Sequence, residues 1–153
     1  MTVWRPSQHI AVKALGLVWR DELLLASVIT QDDGTAKGVR PLGGHIEFGE
    51  TWQVALVREF KEELNCDVEV AGDPLVLENI YTHQGVQGHE VTFDSDVLMP
   101  DSAYPGTSAI RYLEDQGQPQ TADWFDIETL DRGALELYPN GLKPALLARK
   151  TNA

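Results

Sequence analysis

The chain has 153 residues and a net charge of −12, with 24 acidic and 12 basic residues. Its length suits one domain with a substantial core, and its 42% of hydrophobic residues is typical of a globular protein rather than a disordered one. The acidic excess excludes a broad basic face for duplex nucleic acid, although a metal ion or a few local cations can still receive an anionic small molecule. We therefore expect a single domain over residues 1–153.

The single cysteine and the apolar runs bear on the cellular location. Cys66 is the only cysteine, so an internal disulfide bond is impossible and a reducing compartment is favoured. The first residues, MTVWRPSQH, lack the pattern of a secretion signal, and the longest apolar run, LLLASVI, is too short to span a bilayer. These observations predict a cytoplasmic protein without a membrane partner.

The first part of the chain has the pattern of strands and turns. HIAVKALGLVW mixes alternation with a continuous apolar run, as in a strand that is buried on much of both faces. The turn RDE follows, and we expect the next apolar stretch, LLLASVI, to be the partner strand. TQDDGTAKGV is polar and contains Gly, which predicts a loop.

A helix is predicted over Trp52–Leu64, which contains neither Gly nor Pro. Thr51 can cap its beginning with a hydroxyl group, and Asn65 tolerates the left-handed conformation that ends a helix. The predicted apolar stripe consists of Leu56, Phe60 and Leu64, with Val57 beside it.

The chain after this helix returns to strand patterns. DVEVAGDPLVLENIYTH contains one long strand or two short ones, and HEVTFDSDVLMP alternates as the return strand after the hairpin tip QGVQG. Residues 101–121 predict a long irregular loop, of the kind that is often functional. DWFDIETL predicts a short strand and turn, and GLKPALLARK predicts a C-terminal helix. This order indicates an α/β fold with a mixed sheet and helices on both faces.

Three carboxylates lie on one face of the predicted helix. Glu59, Glu62 and Glu63 are neighbours there because residues three and four apart are adjacent, and their like charges repel. A solvated acidic face is one interpretation. The glycine-rich turn before the helix supports another, because Gly lets a backbone carbonyl approach the cluster. Glutamate and carbonyl oxygens are hard ligands that suit Mg²⁺ or Mn²⁺.

The residues around this helix resemble the signature of the Nudix hydrolase family. That signature is a Gly, five residues, Glu, seven residues, Arg-Glu, an apolar residue, any residue, Glu-Glu, any residue, Gly and an apolar residue. The sequence has Gly44, HIEFG, Glu50, TWQVALV, Arg58-Glu59, Phe60, Lys61, Glu62-Glu63, Leu64, Asn65 and Cys66. The departure is Asn65 in place of Gly, and Asn can adopt the same backbone conformation.

The resemblance implies an α/β/α sandwich with a mixed sheet and a catalytic loop-helix-loop. It also implies hydrolysis of a diphosphate bond in a nucleoside diphosphate linked to another group, with Mg²⁺ or Mn²⁺ as cofactor. The substrate would be a nucleoside triphosphate, including oxidised ones, ADP-ribose, a nucleotide sugar or a dinucleoside polyphosphate. The alternative is a catalytically silent, Nudix-like module that binds a nucleotide as a sensor or regulator.

The resemblance also assigns roles to individual residues of the motif. It implies that divalent ions are bound by Glu59, Glu62, Glu63 and the carbonyl of Gly44. It implies a salt bridge between Glu50 and Arg58 that holds the loop against the helix, and the paired donors of an Arg suit that role.

A general base and the substrate contacts are left open by the residues. Glu114 and Asp115 in the long loop are candidates for the base, as is Glu63, whereas Glu90 occupies a strand position that could point to solvent. A surface acid without a role is the alternative for the loop pair. Candidate phosphate contacts are Arg40, His45 and Arg111. If the chain forms an oligomer, we expect a homodimer.

Overall fold

The computed structural model describes residues 3–114 and 117–151. The strands are β1 Ile10–Leu17, β2 Trp19–Arg20, β3 Leu23–Thr30, β4 Ala36–Arg40, β5 Leu42–His45, β6 Glu69–His83, β7 Val86–Leu98, β8 Ile110–Leu113, β9 Pro119–Phe125 and β10 Glu136–Leu137. The helices are α1 Trp52–Leu64 and α2 Leu142–Thr151, and a 3-10 turn covers Ile127–Thr129. None of the helices within these residues is long and apolar enough to cross a membrane.

The strands divide between two mixed sheets. The first has the order β5-β1-β7-β6, in which β1 and β7 are parallel and the other pairs are antiparallel. The second has the order β10-β4-β3-β9-β8, with β2 paired to β3, and β10 runs parallel to β4. The expected α/β fold with mixed pairing is confirmed, but the pairing is shared between two sheets instead of one.

The predicted pairing of the first two apolar stretches is wrong. The backbone N–H of Leu25 donates to the carbonyl of Val18 at 2.9 Å, so the chain turns there and the short β2 pairs with β3. β1 lies instead between β5 and β7, in the other sheet. Both strands are interior strands whose central residues are buried, which explains why their sequences are nearly continuous apolar runs.

Three further predictions differ from the structure in detail. β4 lies within the stretch predicted as a polar loop, because it pairs with β3 as a hairpin. β8 and the beginning of β9 lie within the long segment predicted to be irregular. β6 is one strand, and its register with β7 shifts between Ala71 and Leu75.

Each helix packs on its own group of buried side chains. Leu56, Phe60 and Leu64 of α1 are buried as predicted, whereas Val57 is 37% exposed and does not join them. Their cluster includes Ala14 of β1, and Gly16 lets the Phe60 ring lie against β1, because a Cβ atom there would be 2.5 Å from the ring. α2 contributes to the second cluster. β1 thus presents Ala14 and Gly16 to α1, while Leu15 between them faces the other way.

Candidate metal centre

Both ends of α1 are capped by the residues that the sequence indicated. The Thr51 hydroxyl accepts a hydrogen bond from the Val54 N–H at 3.2 Å. Asn65 has φ 52° and ψ 38°, and its N–H donates to the carbonyl of Lys61 at 3.0 Å. Asn therefore adopts the left-handed conformation at this position, and the helix ends as it would with Gly.

Arg58 ties the preceding loop to the helix. Its Nε donates to Glu50 Oε2 at 2.6 Å and its Nη2 donates to Glu50 Oε1 at 2.8 Å. Nη2 also donates to the carbonyl of His45 at 3.0 Å, and the N–H of Glu47 donates to Glu50 at 3.0 Å. The hydrogen bonds from Arg58, followed by that from Glu47, lower the pKa of Glu50 to about 2. Glu50 therefore remains a carboxylate at any physiological pH.

Glu59 lies against the backbone of the glycine pair. Its side chain is buried, with only 3% of the residue exposed. A Cβ atom on Gly44 would be 2.4 Å from Cδ and 2.5 Å from Oε1 of Glu59, so a residue larger than Gly would displace the carboxylate. Arg58 Nη1 donates to Glu59 Oε1 at 2.9 Å. The structure thus brings together Gly44, Glu59 and the Arg58–Glu50 pair.

The two remaining helix glutamates lie nearer to solvent. The Glu62 side chain is 46% exposed, and its Oε2 accepts a hydrogen bond from Arg58 Nη1 at 3.3 Å. Glu63 is half-buried. As the side chains stand, no group of three or more His, Cys, Asp or Glu residues in the described ranges is arranged to hold a metal ion. The donor set is nevertheless of the type that fits a hard divalent cation, because it combines carboxylates with a glycine backbone that admits close approach.

The candidates for a general base lie in different surroundings. Glu114 follows β8 directly and is half-buried; its N–H donates to the carbonyl of Gln118 at 2.9 Å in the turn toward β9. Burial raises the pKa of Tyr112 to about 12, and the charges of Glu63 and Glu114 contribute to this rise. Glu63 and Glu114 therefore both lie near one tyrosine. Asp115 lies outside the described residues.

Glu90 points into the protein rather than to solvent. Only 4% of the residue is exposed, and its Oε2 lies 3.0 Å from Lys13 Nζ. The side-chain amide of Asn79 donates to Glu90 Oε1 at 3.3 Å. The sequence analysis missed this buried pair, although Lys13 is the one charged residue in the otherwise apolar stretch HIAVKALGLVW. An isolated lysine in a buried strand usually has an acidic partner across the sheet.

The three candidate phosphate contacts have different positions. Arg40 ends β4 half-buried, and its charge contributes to lowering the pKa of Lys13. Its buried Nε has no hydrogen-bond partner among the described residues. His45 follows Gly44 directly and is exposed. Arg111 is also exposed, and it alternates along β8 with the buried Tyr112, so it lies on the opposite face of that strand.

A second buried acid escaped the sequence analysis. Asp94 on β7 is fully buried, and the Thr92 hydroxyl donates to its Oδ2 at 2.9 Å. Its Oδ1 has no partner among the described residues. Burial raises the pKa of Asp94 to about 7, against an ordinary value of 3.8. Nothing in the local sequence distinguishes this aspartate from the half-exposed Asp96 two residues later.

Comparison with known proteins identifies the family. No curated protein matches the sequence. The NUDIX domain matches residues 8–146. Among solved structures, the chain is similar to the E. coli ORF135 protein, with a TM-score of 0.59, 22% identity, and coverage of 94% of this chain and 92% of that one.

Two further solved structures share the fold. A MutT NUDIX hydrolase from Burkholderia pseudomallei has a TM-score of 0.56 and 18% identity, over 92% of this chain and 98% of that one. An ADP-ribose pyrophosphatase from Streptococcus suis has a TM-score of 0.51 and 16% identity, over 95% and 94%. The family match spans most of the chain and includes the loop and helix built around Arg58. The chain therefore belongs to the Nudix hydrolase family.

Proposed function

We propose that the chain hydrolyses a diphosphate bond in a nucleoside diphosphate linked to another group, with Mg²⁺ or Mn²⁺ bound by Glu59, Glu62, Glu63 and the carbonyl of Gly44. The observation that carries this proposal is the contact between the Glu59 carboxylate and the Gly44 backbone, beside a guanidinium that also reaches Glu62. Structural packing alone does not require a buried glutamate there, since an apolar side chain would fill the space without a charge.

The chain's own residues have separable tasks in this reaction. Arg58 holds Glu50 with two donors and reaches Glu59 and Glu62 with a third, so it orients two of the ligand carboxylates while fixing the loop. When bound, the cation would neutralise the diphosphate, lower the pKa of the attacking water and stabilise the leaving oxygen. Glu50 is a positioning residue in this assignment, because both of its oxygens are already held by Arg58.

Glu114 and Glu63 are the acids that we propose as general base. Both lie close enough to Tyr112 for their charges to act on it, and both are half-buried. Glu90 fits this role less well, because its carboxylate is buried and already accepts from Lys13 and Asn79. A base needs an accessible oxygen within hydrogen-bond reach of the attacking water.

The non-enzymatic alternative is a nucleotide-binding sensor. In such a sensor we would expect one or more of the metal-binding glutamates to be replaced, and in this chain Glu59, Glu62 and Glu63 are all present. The substrates still to be compared are nucleoside triphosphates, ADP-ribose, nucleotide sugars and dinucleoside polyphosphates. The loops that would choose among them differ widely within one fold.

A substrate screen tests the proposal. Each nucleotide class is incubated with the protein and Mg²⁺ or Mn²⁺, and released phosphate or mononucleotide is measured. Heavy-oxygen water then identifies the attacked phosphorus. Glu128→Gln is a matched control, because Glu128 is an exposed glutamate outside the loop and helix. Binding of a nucleotide without turnover under every condition would replace this proposal with the sensor.

A further inference from the structure

The four histidines of the chain gather around the segment that precedes β1. A pocket of about 170 Å³ lies between residues 4–9 and the strands β1, β5, β6 and β7. We call it the basic pocket, because its described lining contains no Asp or Glu and includes Arg5, His9, Lys13, His45 and His89. The fourth histidine, His83, contacts Trp4, with ring centroids 5.4 Å apart. Such a lining is unusual in a chain with twice as many acidic as basic residues.

Acidic partners that do not line the pocket hold three of these side chains in place. Arg5 lies 2.6 Å from Asp32, and His89 lies 3.0 Å from Glu78. Lys13 lies 3.0 Å from Glu90. An ammonium group carries three N–H donors, so Lys13 can serve the pocket and Glu90 at once. Burial lowers the pKa of Lys13, and a second anion beside it would oppose that effect.

The basic pocket begins next to the proposed metal centre. His45 lines the pocket and follows Gly44, so their Cα atoms are about 3.8 Å apart. The wall formed by residues 4–9 is attached at two points, through the Arg5–Asp32 ion pair and the packing of Trp4 against His83. Gly44 and His45 point to opposite faces of the sheet, because Gly44 pairs with Ala14 and His45 pairs with Lys13, and both lie on the edge strand β5. A phosphate group adjacent in the substrate to the diphosphate held at Gly44 would therefore reach the pocket around this edge.

We propose that the basic pocket is a phosphate subsite that binds a third phosphate group of the substrate, beyond the two joined by the cleaved bond. This inference rests on the proposed function and narrows its substrate class. It favours nucleoside triphosphates and dinucleoside polyphosphates, which carry three or more phosphates, over ADP-ribose and nucleotide sugars, which carry two. The physical reason is that the positioned N–H donors of Arg5 and Lys13 bind a multiply charged phosphate more strongly than they bind water or a neutral sugar.

Metal-free protein allows the subsite to be tested apart from the metal centre. In EDTA, the imidazole NMR signals of the four histidines are followed while inorganic phosphate or a nucleoside monophosphate is added. We expect saturable shifts at His9, His45 and His89, and a smaller shift at the buried His83. Inorganic phosphate alone should suffice, which distinguishes phosphate recognition from recognition of the base.

Two variants sharpen the measurement. Lys13→Met/Glu90→Gln removes the buried pair together and leaves no unpaired charge, and it should weaken phosphate binding roughly tenfold or more. His9→Gln changes an exposed residue outside the core, so it keeps the test available if the double variant does not fold. Arg132→Gln/Glu128→Gln removes an exposed ion pair elsewhere and should leave the affinity unchanged.

The outcomes separate this inference from the proposed function. Metal-dependent hydrolysis without any phosphate-induced shift of the histidines would overturn the inference and leave the function standing. Phosphate binding without hydrolysis would leave the subsite and remove the function. The pocket variants should lower kcat/KM for a triphosphate and leave kcat/KM for a two-phosphate substrate unchanged. An equal decrease in kcat/KM for both substrates would also overturn the inference.

Discussion

Glu50 beside Arg58 and Asp94 on β7 are both acids with little exposure, yet their pKa values shift in opposite directions. Glu50 and Glu59 receive hydrogen bonds from one guanidinium, and the pKa of Glu50 falls to about 2. Asp94 receives one hydrogen bond from a neutral hydroxyl, and its pKa rises to about 7. Burial is the main cause of the rise at Asp94, where the hydroxyl opposes it only in part, whereas the guanidinium is the main cause of the fall at Glu50.

The largest expected effect is the loss of activity on changing Glu62, one of the carboxylates that Arg58 contacts. Glu62→Gln keeps the shape of the side chain but removes one ligand charge, and we expect it to lower kcat by more than the roughly 10²–10⁴-fold typical of losing a general base. The fold should persist, because the side chain is 46% exposed and its loss reduces like-charge repulsion. Turnover and thermal unfolding measured together check this, with Glu50→Gln expected to cost less activity. Near-native turnover of the Glu62 variant would exclude Glu62 as a ligand that the reaction needs.

Glu114→Gln should have the next largest effect. If Glu114 is the base, kcat falls on the order of 10²-fold or more while the Mg²⁺ concentration for half-maximal activity stays constant. Glu63→Gln provides the comparison, because a metal ligand should change that concentration. A normal kcat for the Glu114 variant, together with a lower kcat at saturating Mg²⁺ for the Glu63 variant, would assign the base to Glu63.

Asp94→Asn tests whether the raised pKa of Asp94 on β7 makes stability depend on pH. Because the folded-state pKa of about 7 exceeds the ordinary 3.8, the contribution of Asp94 to stability is full below pH 4 and is lost as the pH rises through 7. The variant lacks this titration, so at pH 8 it should be more stable than the wild type, by on the order of 4 kcal/mol. Urea unfolding at several pH values measures the difference. A constant difference from pH 4 to pH 8 would contradict a raised pKa.

Divalent cations should produce the smallest effect of the four. Binding to the folded state alone should stabilise the wild type by about 3 kcal/mol when the free ion is a hundredfold above its Kd. A rise of Tm with Mg²⁺ or Mn²⁺, reversed by EDTA and reduced in Glu62→Gln, checks the proposal. A Tm and a turnover that are both indifferent to these ions would exclude Glu59, Glu62 and Glu63 as ligands.

What the sequence predicted well is local along the chain. The bounds of α1, its two caps and the buried stripe follow from the spacing of Thr51, Leu56, Phe60 and Asn65. The proximity of Glu50 to Arg58 also follows from a short loop and two helical turns. These features depend on contacts between residues that are close in sequence, for which spacing and residue type are sufficient guides.

What the sequence did not predict depends on distant strands. The placement of β1 beside β7 joins residues nearly 80 positions apart, and it creates the Lys13–Glu90 pair. The sequence of an apolar stretch does not indicate which of several similar strands it will pair with. The basic pocket was missed for the same reason, because His9, His45 and His89 meet only after the sheet has formed.

The alternation of β1 also bears on how the chain avoids misfolding. A slip of one residue against β7 would turn the Lys13 ammonium toward the apolar core beneath α1 and separate it from Glu90, while Ala14 would leave that core. An unpaired ammonium in that location is strongly unfavourable. The buried ion pair therefore disfavours an alignment that the apolar residues of β1 would otherwise tolerate, and so helps to specify the register of the sheet.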